Sequence, residues 1–355
     1  MPNTIFRYLV DEAALNHLVA GLPAAGLLGI MAVCILLLSK GADWMIDGAV
    51  ALALRTGLPK IIIGATIVSL GTTTPEAFVS VFAAFTGNPR LALGNGVGSI
   101  IADTGLIFGL TAVLAKVPLD RFILDRTGWV QVGAATLLVV IGVISWFLTG
   151  GDPVLSRGVG VFFLLLLAGY MYKSYVWARS RCDIDNYCEP HAGIPELGLG
   201  KSWLLIILGL TLVVFGARVL IPCASEIAMR LGVPDDVIAA TMVALGTSLP
   251  ELITAIAAVR KGHPEITVGN VVGADVLNCL FVIGAAATAR SLAIPDNFFY
   301  FHFPAMLLIL YSFRVFISIN REGYFKRWQG FWLLTVYAGY VALQYALNVD
   351  VTGGH

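Results

Sequence analysis

Charge is what this sequence lacks most. Only 12% of its 355 residues are Asp, Glu, Lys or Arg, against about 25% in soluble domains. That shortage excludes an ordinary water-soluble globule. The few charges balance, 22 basic against 22 acidic, and no Lys/Arg-rich block occurs, so nothing points to a nucleic-acid partner. Residues 1–20 mix Arg7, Asp11, Glu12 and His17 with apolar residues and lack the charged-then-apolar order of a cleavable signal peptide. No H-E-x-x-H and no G-x-S-x-G is present, which removes the plainest signs of an intramembrane hydrolase. Cysteine is scarce. Cys34, Cys223 and Cys279 fall in apolar segments and read as small buried hydrophobes. Cys182, Cys188 and His191 share a polar loop but lack a fourth ligand and the close spacing of a zinc site.

What is there is apolar surface: 58% hydrophobic residues and a mean hydropathy of +0.87. Runs near 20 residues recur, long enough to cross about 30 Å of hydrocarbon. The pattern predicts an all-α polytopic membrane protein with ten spans. They lie near 24–54, 58–85, 90–115, 128–149, 155–178, 201–230, 235–260, 264–289, 297–319 and 328–348. The polar stretch 179–200 divides residues 1–178 from residues 201–355, five spans on each side, and is too short to be a soluble domain. Placing the N-terminus outside puts Arg55, Lys60, Lys116, Arg121, Arg126, Lys173, Arg179, Arg181, Lys201, Arg260, Lys261, Arg314, Arg321, Lys326 and Arg327 on the inner side. Only Arg7, Arg90, Arg157, Arg230 and Arg290 then face out. By the positive-inside rule both termini are external. Lys40, Asp43 and Asp47 share a face of the first span and read as an ion pair or as interfacial anchors.

The two parts repeat. Glu76 and Glu251 are 175 positions apart. The same offset aligns Gly41 with Gly216, Pro59 with Pro234, Gly71 with Gly246, Thr72 with Thr247, Pro75 with Pro250, Asn95 with Asn270 and Gly98 with Gly273, without a gap. Since each part has an odd number of spans, the second enters the membrane from the opposite side. That is an inverted-topology repeat, an architecture in which secondary transporters bind substrate near the midplane.

The repeat centres on S-L-G-T-T-T-P-E, Ser69 to Glu76, and A-L-G-T-S-L-P-E, Ala244 to Glu251. Pro75 has no N–H for the Gly71 carbonyl, so a break in the helix is expected there, with the carbonyls of Ser69, Leu70 and Gly71 released toward a cation. Pro250 repeats the arrangement for Ala244 to Gly246. Thr72 and Thr73 share a helix face with Glu76, as Thr247 and Ser248 do with Glu251. A carboxylate at membrane depth is costly and rare without a partner or a function. The plain alternative, a proline kink with a snorkelling glutamate, accounts poorly for two symmetric copies. Each copy is followed by a glycine-rich stretch, Gly94 to Asp103 and Gly269 to Asn278, which brings in Ser99, Asp103, Asp275 and Asn278. All are hard oxygen donors, and such a set suits Ca²⁺ or Na⁺ better than Mg²⁺.

At these motifs the chain resembles the calcium/cation antiporter superfamily, the sodium/calcium exchangers and their bacterial relatives. G-T-T-T-P-E and G-T-S-L-P-E, each followed by G-N-x-x-G, carry the resemblance over about 41–110 and 216–285. It implies ten helices in two inverted halves, ion sites on helices two, three, seven and eight, and sliding of the first and sixth. Glu76 and Glu251 would be the calcium carboxylates. Thr72, Thr73, Thr247, Ser248 and Ser99 would be oxygen ligands shared with sodium. Asp103 and Asn278 would be the acid/amide pair between them, and the carbonyls of Ser69 and Ala244 would contribute. Three positions depart from the family pattern. Asp103 and Asn278 reverse the usual order of amide and acid, Ala274 replaces a serine, and Asp275 is an added acid. The resemblance implies a secondary antiporter of a bacterial inner membrane that exchanges Ca²⁺ for Na⁺. It implies no cofactor beyond the transported ions and no obligatory protein partner besides the bilayer. Ca²⁺/H⁺ exchange on the same carboxylates and a passive cation channel are the alternatives.

Overall fold

The computed structural model describes residues 18–85, 89–185, 197–231, 248–320 and 322–346, with side chains to residue 180 in the second stretch. It is helical almost throughout. Eight helices among the described residues are long and apolar enough to cross a membrane. They are α1 (Ala24–Thr56), α2 (Lys60–Phe85), α3 (Pro89–Leu114), α4 (Arg121–Thr149), α5 (Arg157–Ser180, continuing to Asp185), α6 (Leu199–Arg230), α8 (Pro264–Ala289) and α9 (Phe298–Ile319). Two more helices accompany them, α7 (Leu249–Arg260) and α10 (Arg327–Ala346). The expected seventh span, 235–260, is described only from residue 248.

The helix ends follow local chemistry. Gly57, at φ 70°, takes the left-handed conformation that closes α1. Asp120 accepts a hydrogen bond from the Ile123 amide at 3.2 Å and caps α4. With that cap α4 begins at Arg121, earlier than the apolar run alone suggests. Between α4 and α5, β1 (Val154–Leu155) pairs antiparallel with β2 (Leu292–Ala293) between α8 and α9. This short ladder fastens two links that are far apart in sequence.

Layering follows the apolar pattern. α2, α3 and α8 are largely enclosed, whereas α1, α4, α5 and α6 leave most of their apolar surface on the outside. Leu36, Phe78, Phe147, Leu148 and Leu165 are among the exposed large hydrophobics, as lipid-facing positions should be. The main core runs through Ile100, Phe108, Leu138, Phe163, Ile283 and Phe313. A second core is centred on the α1–α6 pair, with Leu38, Met45, Ile46, Ile206 and Val213, and takes in Ile63 of α2, Ala258 of α7 and Ile266 of α8.

Close backbone approach fixes the helix directions. A β-carbon on Gly41 would sit 2.7 Å from the Gly209 carbonyl oxygen, and one on Gly48 2.7 Å from that of Ser202. As α1 ascends, α6 descends, so the two are antiparallel. A β-carbon on Gly269 would overlap the Ile61 carbonyl and one on Gly273 that of Ala65, so α2 and α8 run the same way. α7 joins α8 through the three residues 261–263 and packs against it, and thus runs against α2. The segments Ser69–Glu76 and Ser248–Glu251 therefore lie on antiparallel helices.

One expectation needs correction. The helix does not break at Pro75: the α-helical stretch Ser69–Phe85 passes through it. Two hydroxyls turn back onto the same stretch, Thr74 donating to the Leu70 carbonyl and Thr72 to that of Ser69 at 3.4 Å, while the Gly71 carbonyl opposite Pro75 is acceptor to neither. The irregularity lies upstream, as a π turn at Gly64–Val68. Of the α1 charges, Asp47 forms an ion pair with Lys261, just past the end of α7, at 2.6 Å. Arg314, counted above among the inner-side basic residues, is buried inside α9, 3.1 Å from Asp125 and over the Trp129 ring.

Gly269→Val should lower the thermal unfolding temperature of the purified protein, by about 1–3 kcal/mol of overpacking. Gly133→Ala, on an open face of α4 with no atom within 4 Å of the new methyl, should raise it slightly through helix propensity.

Candidate functional site

Polar side chains from α2, α3, α7 and α8 collect in the middle of this apolar bundle. Ser69, Thr72, Thr73 and Glu76 on α2 are buried, as are Ser99 and Asp103 on α3, Ser248 and Glu251 at the start of α7, and Asp275 and Asn278 on α8. The glycines that let α8 lie against α2 put Gly273 directly on Ser69. Thr247 and Ala244 lie outside the described residues, as do the side chains of Cys182, Cys188 and His191.

The local backbone presents these groups inward. α3 and α8 match residue for residue at the 175 offset: both open on proline, Pro89 and Pro264, and their π turns begin at Asp103 and Asn278. A π turn is a one-residue widening that recurs at functional sites. Here it begins at an acid in one helix and an amide in the other. The two meet, since Asn278 Nδ2 donates to Asp103 Oδ2 at 3.4 Å.

The α2 and α7 motifs also meet. Thr72 reaches the Glu251 carboxyl across the bundle, and Ser248 lies against Asp103. Glu251 is within electrostatic range of both Glu76 and Asp103. Glu76 Oε2, Glu251 Oε2, Asp103 Oδ1, Asn278 Oδ1, Thr73 Oγ1 and Ser99 Oγ are buried without a hydrogen-bond partner. Buried polar atoms are nearly always paired, so this cluster of unsatisfied oxygens is chemically able to receive a cation or hydrogen-bond donors. Among the described residues no group of three or more His, Cys, Asp or Glu side chains could hold a metal ion alone. Carboxylates by themselves do not complete a shell here, so hydroxyl, amide and carbonyl oxygens have to share in any coordination.

Asp275 is held differently. Its Oδ2 accepts from Thr104 on α3 and from Gln131 on α4. Neither partner stood out in the sequence. Gln131 was detectable in principle, as an amide inside an otherwise apolar stretch of α4. The repeat also brings Asn95 and Asn270 to equivalent places with different outcomes. Asn95 Nδ2 donates to Ser80 Oγ at 2.9 Å and to the Glu76 carbonyl at 3.4 Å, tying α3 to α2 beside the acid. Asn270 has no such bond, and Ala255 stands at the position that corresponds to Ser80.

With this geometry in view, comparison with known proteins is decisive. The family model for sodium/calcium exchanger protein matches residues 26–176 and 201–346. The chain belongs to the sodium/calcium exchanger family. Sodium/calcium exchanger MaX1 of Methanosarcina acetivorans is 30% identical over 333 residues, covering 86% of this chain and 95% of that one. The inner membrane protein YrbG of Escherichia coli is 33% identical over 262 residues, 73% of this chain and 78% of its own length. The structure of the sodium/calcium exchanger from Methanococcus jannaschii superposes with a TM-score of 0.76 at 26% identity, covering 90% of this chain and 99% of that one. The exchanger family is one of transporters, and its ions are substrates, not cofactors. This chain is thus an integral membrane protein of a cation-exchanger family that handles Ca²⁺.

Ser80→Ala should leave the Asn95 amide short of a partner, as Asn270 is. The expected cost is about 1–3 kcal/mol, measured as a lower unfolding temperature in detergent.

Proposed function

We propose that this protein exchanges Ca²⁺ for Na⁺ across a membrane by alternating access at one buried oxygen site near the midplane. The observation that carries the reading is the meeting of Glu76 and Glu251. They lie on antiparallel helices with the same proline-containing motif, among unsatisfied oxygens and within electrostatic range of each other. Two carboxylates left together in an apolar medium repel and are costly. A Ca²⁺ between them removes both penalties, and flexible oxygen shells of 6–8 ligands suit that ion.

In this reading Glu76 and Glu251 neutralise Ca²⁺. Thr72, Thr73, Thr247, Ser248, Ser99 and the carbonyls of Ser69 and Ala244 complete shells that Na⁺ can use in turn. The Ser69 carbonyl accepts from the Thr72 hydroxyl besides its helical bond, so it joins the shell as that hydroxyl turns away to the ion. Asp103, Asn278 and Asp275 set the charge of the rest of the site. The chain has ten membrane helices in two inverted five-helix halves, 1–178 and 201–355, joined by the inner connector 179–200. The antiparallel pairs α1/α6 and α2/α7 support the inversion. α1 and α6 pack closely on each other through Gly41, Gly48 and Gly209 and lie on the outside of the bundle, which supports a pair that slides against the rest, exposing the site to one side at a time. The Lys/Arg distribution supports both termini outside, and the likeness to inner membrane protein YrbG supports a bacterial inner membrane.

The presence of four buried acids favours one second reading, Ca²⁺/H⁺ exchange on the same carboxylates. Sealed vesicles containing the protein separate the two: Ca²⁺ movement should follow an imposed Na⁺ gradient. Movement that ignores Na⁺ and follows ΔpH would establish the proton reading, and flux without any counter-ion would establish a channel. Glu76→Gln and Glu251→Gln should each abolish Ca²⁺ transport while the chain still inserts. Full transport in either variant would remove that residue from the site.

A further inference from the structure

Asp275 differs from the other buried acids in being reached from α4, a helix outside the four that carry the repeated motifs. Thr104 and Gln131 both donate to its Oδ2, and Gln131 Nε2 also lies 3.2 Å from Thr104 Oγ1. The three side chains are almost fully buried, none more than 1% exposed. Two of their oxygens, Asp275 Oδ1 and Gln131 Oε1, have no partner. The charged groups acting on neighbouring Asp103 are Glu251 and Asp275, both acidic.

Charge counting then poses a problem. Glu76, Glu251, Asp103 and Asp275 are four acids, and one Ca²⁺ offsets two of them. Buried charge without compensation is not tolerated at membrane depth. In the present arrangement the Gln131 amide donates to Asp275 through Nε2, while its own Oε1 is left without a partner. A half-turn of that amide brings Oε1 into the place of Nε2. It then offers a carboxylate, an amide carbonyl and a hydroxyl, all oxygen, with a single negative charge. One charge and neutral oxygens suit a hard monovalent ion, while Ca²⁺ gains more from the paired glutamates.

We propose that Asp275, Thr104 and Gln131 form a monovalent-cation subsite beside the Glu76–Glu251 site, taking an alkali cation during exchange. The subsite deepens the exchanger reading above and rests on it for its part in the cycle. Its occupancy is reversible because Gln131 and Thr104 both donate to Asp275 Oδ2 when the ion is absent. The subsite joins α3, α4 and α8, and so extends ion contact to α4.

The test uses the full-length protein in two assays. In proteoliposomes, Ca²⁺ efflux is followed against external Na⁺ for the natural protein, Asp275→Asn and Gln131→Met. Each variant should need more Na⁺, and the Hill coefficient of Asp275→Asn should fall, because the number of cooperating sites sets its upper limit. In Ca²⁺-free detergent solution, NaCl, KCl and LiCl are compared with choline chloride for their effect on unfolding temperature. The alkali salts should stabilise the natural protein, and both variants should lose part of that shift. An unchanged Hill coefficient and an unchanged salt shift in Asp275→Asn would overturn the subsite and leave Asp275 as a protonated, structural acid. Loss of Ca²⁺ stabilisation as complete as in Glu76→Gln would also overturn it, by making Asp275 a calcium ligand. Should Asp275→Asn fail to fold, Gln131→Met, which keeps the acid, decides by the same salt shift. If the natural protein moves no Ca²⁺ on a Na⁺ gradient, the exchanger reading fails, and the salt shift still tests the subsite alone.

Discussion

Unpaired negative charge in a low-dielectric interior is the constraint on which the rest of this structure depends. Glu76, Glu251, Asp103 and Asp275 are all buried, and no water-exposed surface is available to relieve them. Everything around them reduces that cost. Glycines on α8 bring the backbone of α2 close enough for hydroxyls to line the space, and π turns begin at Asp103 and Asn278. Thr72 crosses to Glu251, and Asn278 to Asp103. These contacts lower the penalty without cancelling it, since Glu76 Oε2, Glu251 Oε2 and Asp103 Oδ1 keep no partner.

The membrane class was legible because composition alone rules out a soluble fold. Glu76 and Glu251 were legible because an acid is conspicuous against twenty apolar neighbours, and because the 175-residue offset shows each one twice. Pro75 misled for a physical reason. A missing N–H removes one hydrogen bond and leaves those of the flanking turns in place, so a helix held by its neighbours can run through a proline. The ion pairing of Asp47 was expected, but its partner Lys261 is far away in sequence and spacing along one helix does not reveal it. Gln131 escaped because α4 shows no matching motif at the repeat offset, and a single amide has no pattern to be read from.

The repeat is close but unequal, and the inequalities fall on the polar groups. Asn95 has Ser80 to hold, whereas Asn270 faces a position occupied by alanine. Asp103 begins one π turn and Asn278 the other. Asp275 has Ile100 as its counterpart. Backbone features survive the duplication better than charges do, because helix packing demands the same small residues in both copies. Charge has only to balance over the site as a whole. A duplicated scaffold can therefore redistribute its acids between copies and alter which ions it prefers without changing its shape.

The contact of α2 with α8 has a consequence for how the protein is made. Ile61 and Gly269 touch backbone to backbone, yet roughly two hundred residues separate them. When the ribosome has produced α2 and α3, the helix that will cover Glu76 and Asp103 has not been synthesised. At a typical synthesis rate of about 5–20 residues per second, those acids wait ten seconds or more for α8. During that time they must be kept neutral, hydrated at the insertion machinery, or held by another chain. The late arrival of α8 makes biogenesis, as much as transport, a reason for the acids to be shared among helices.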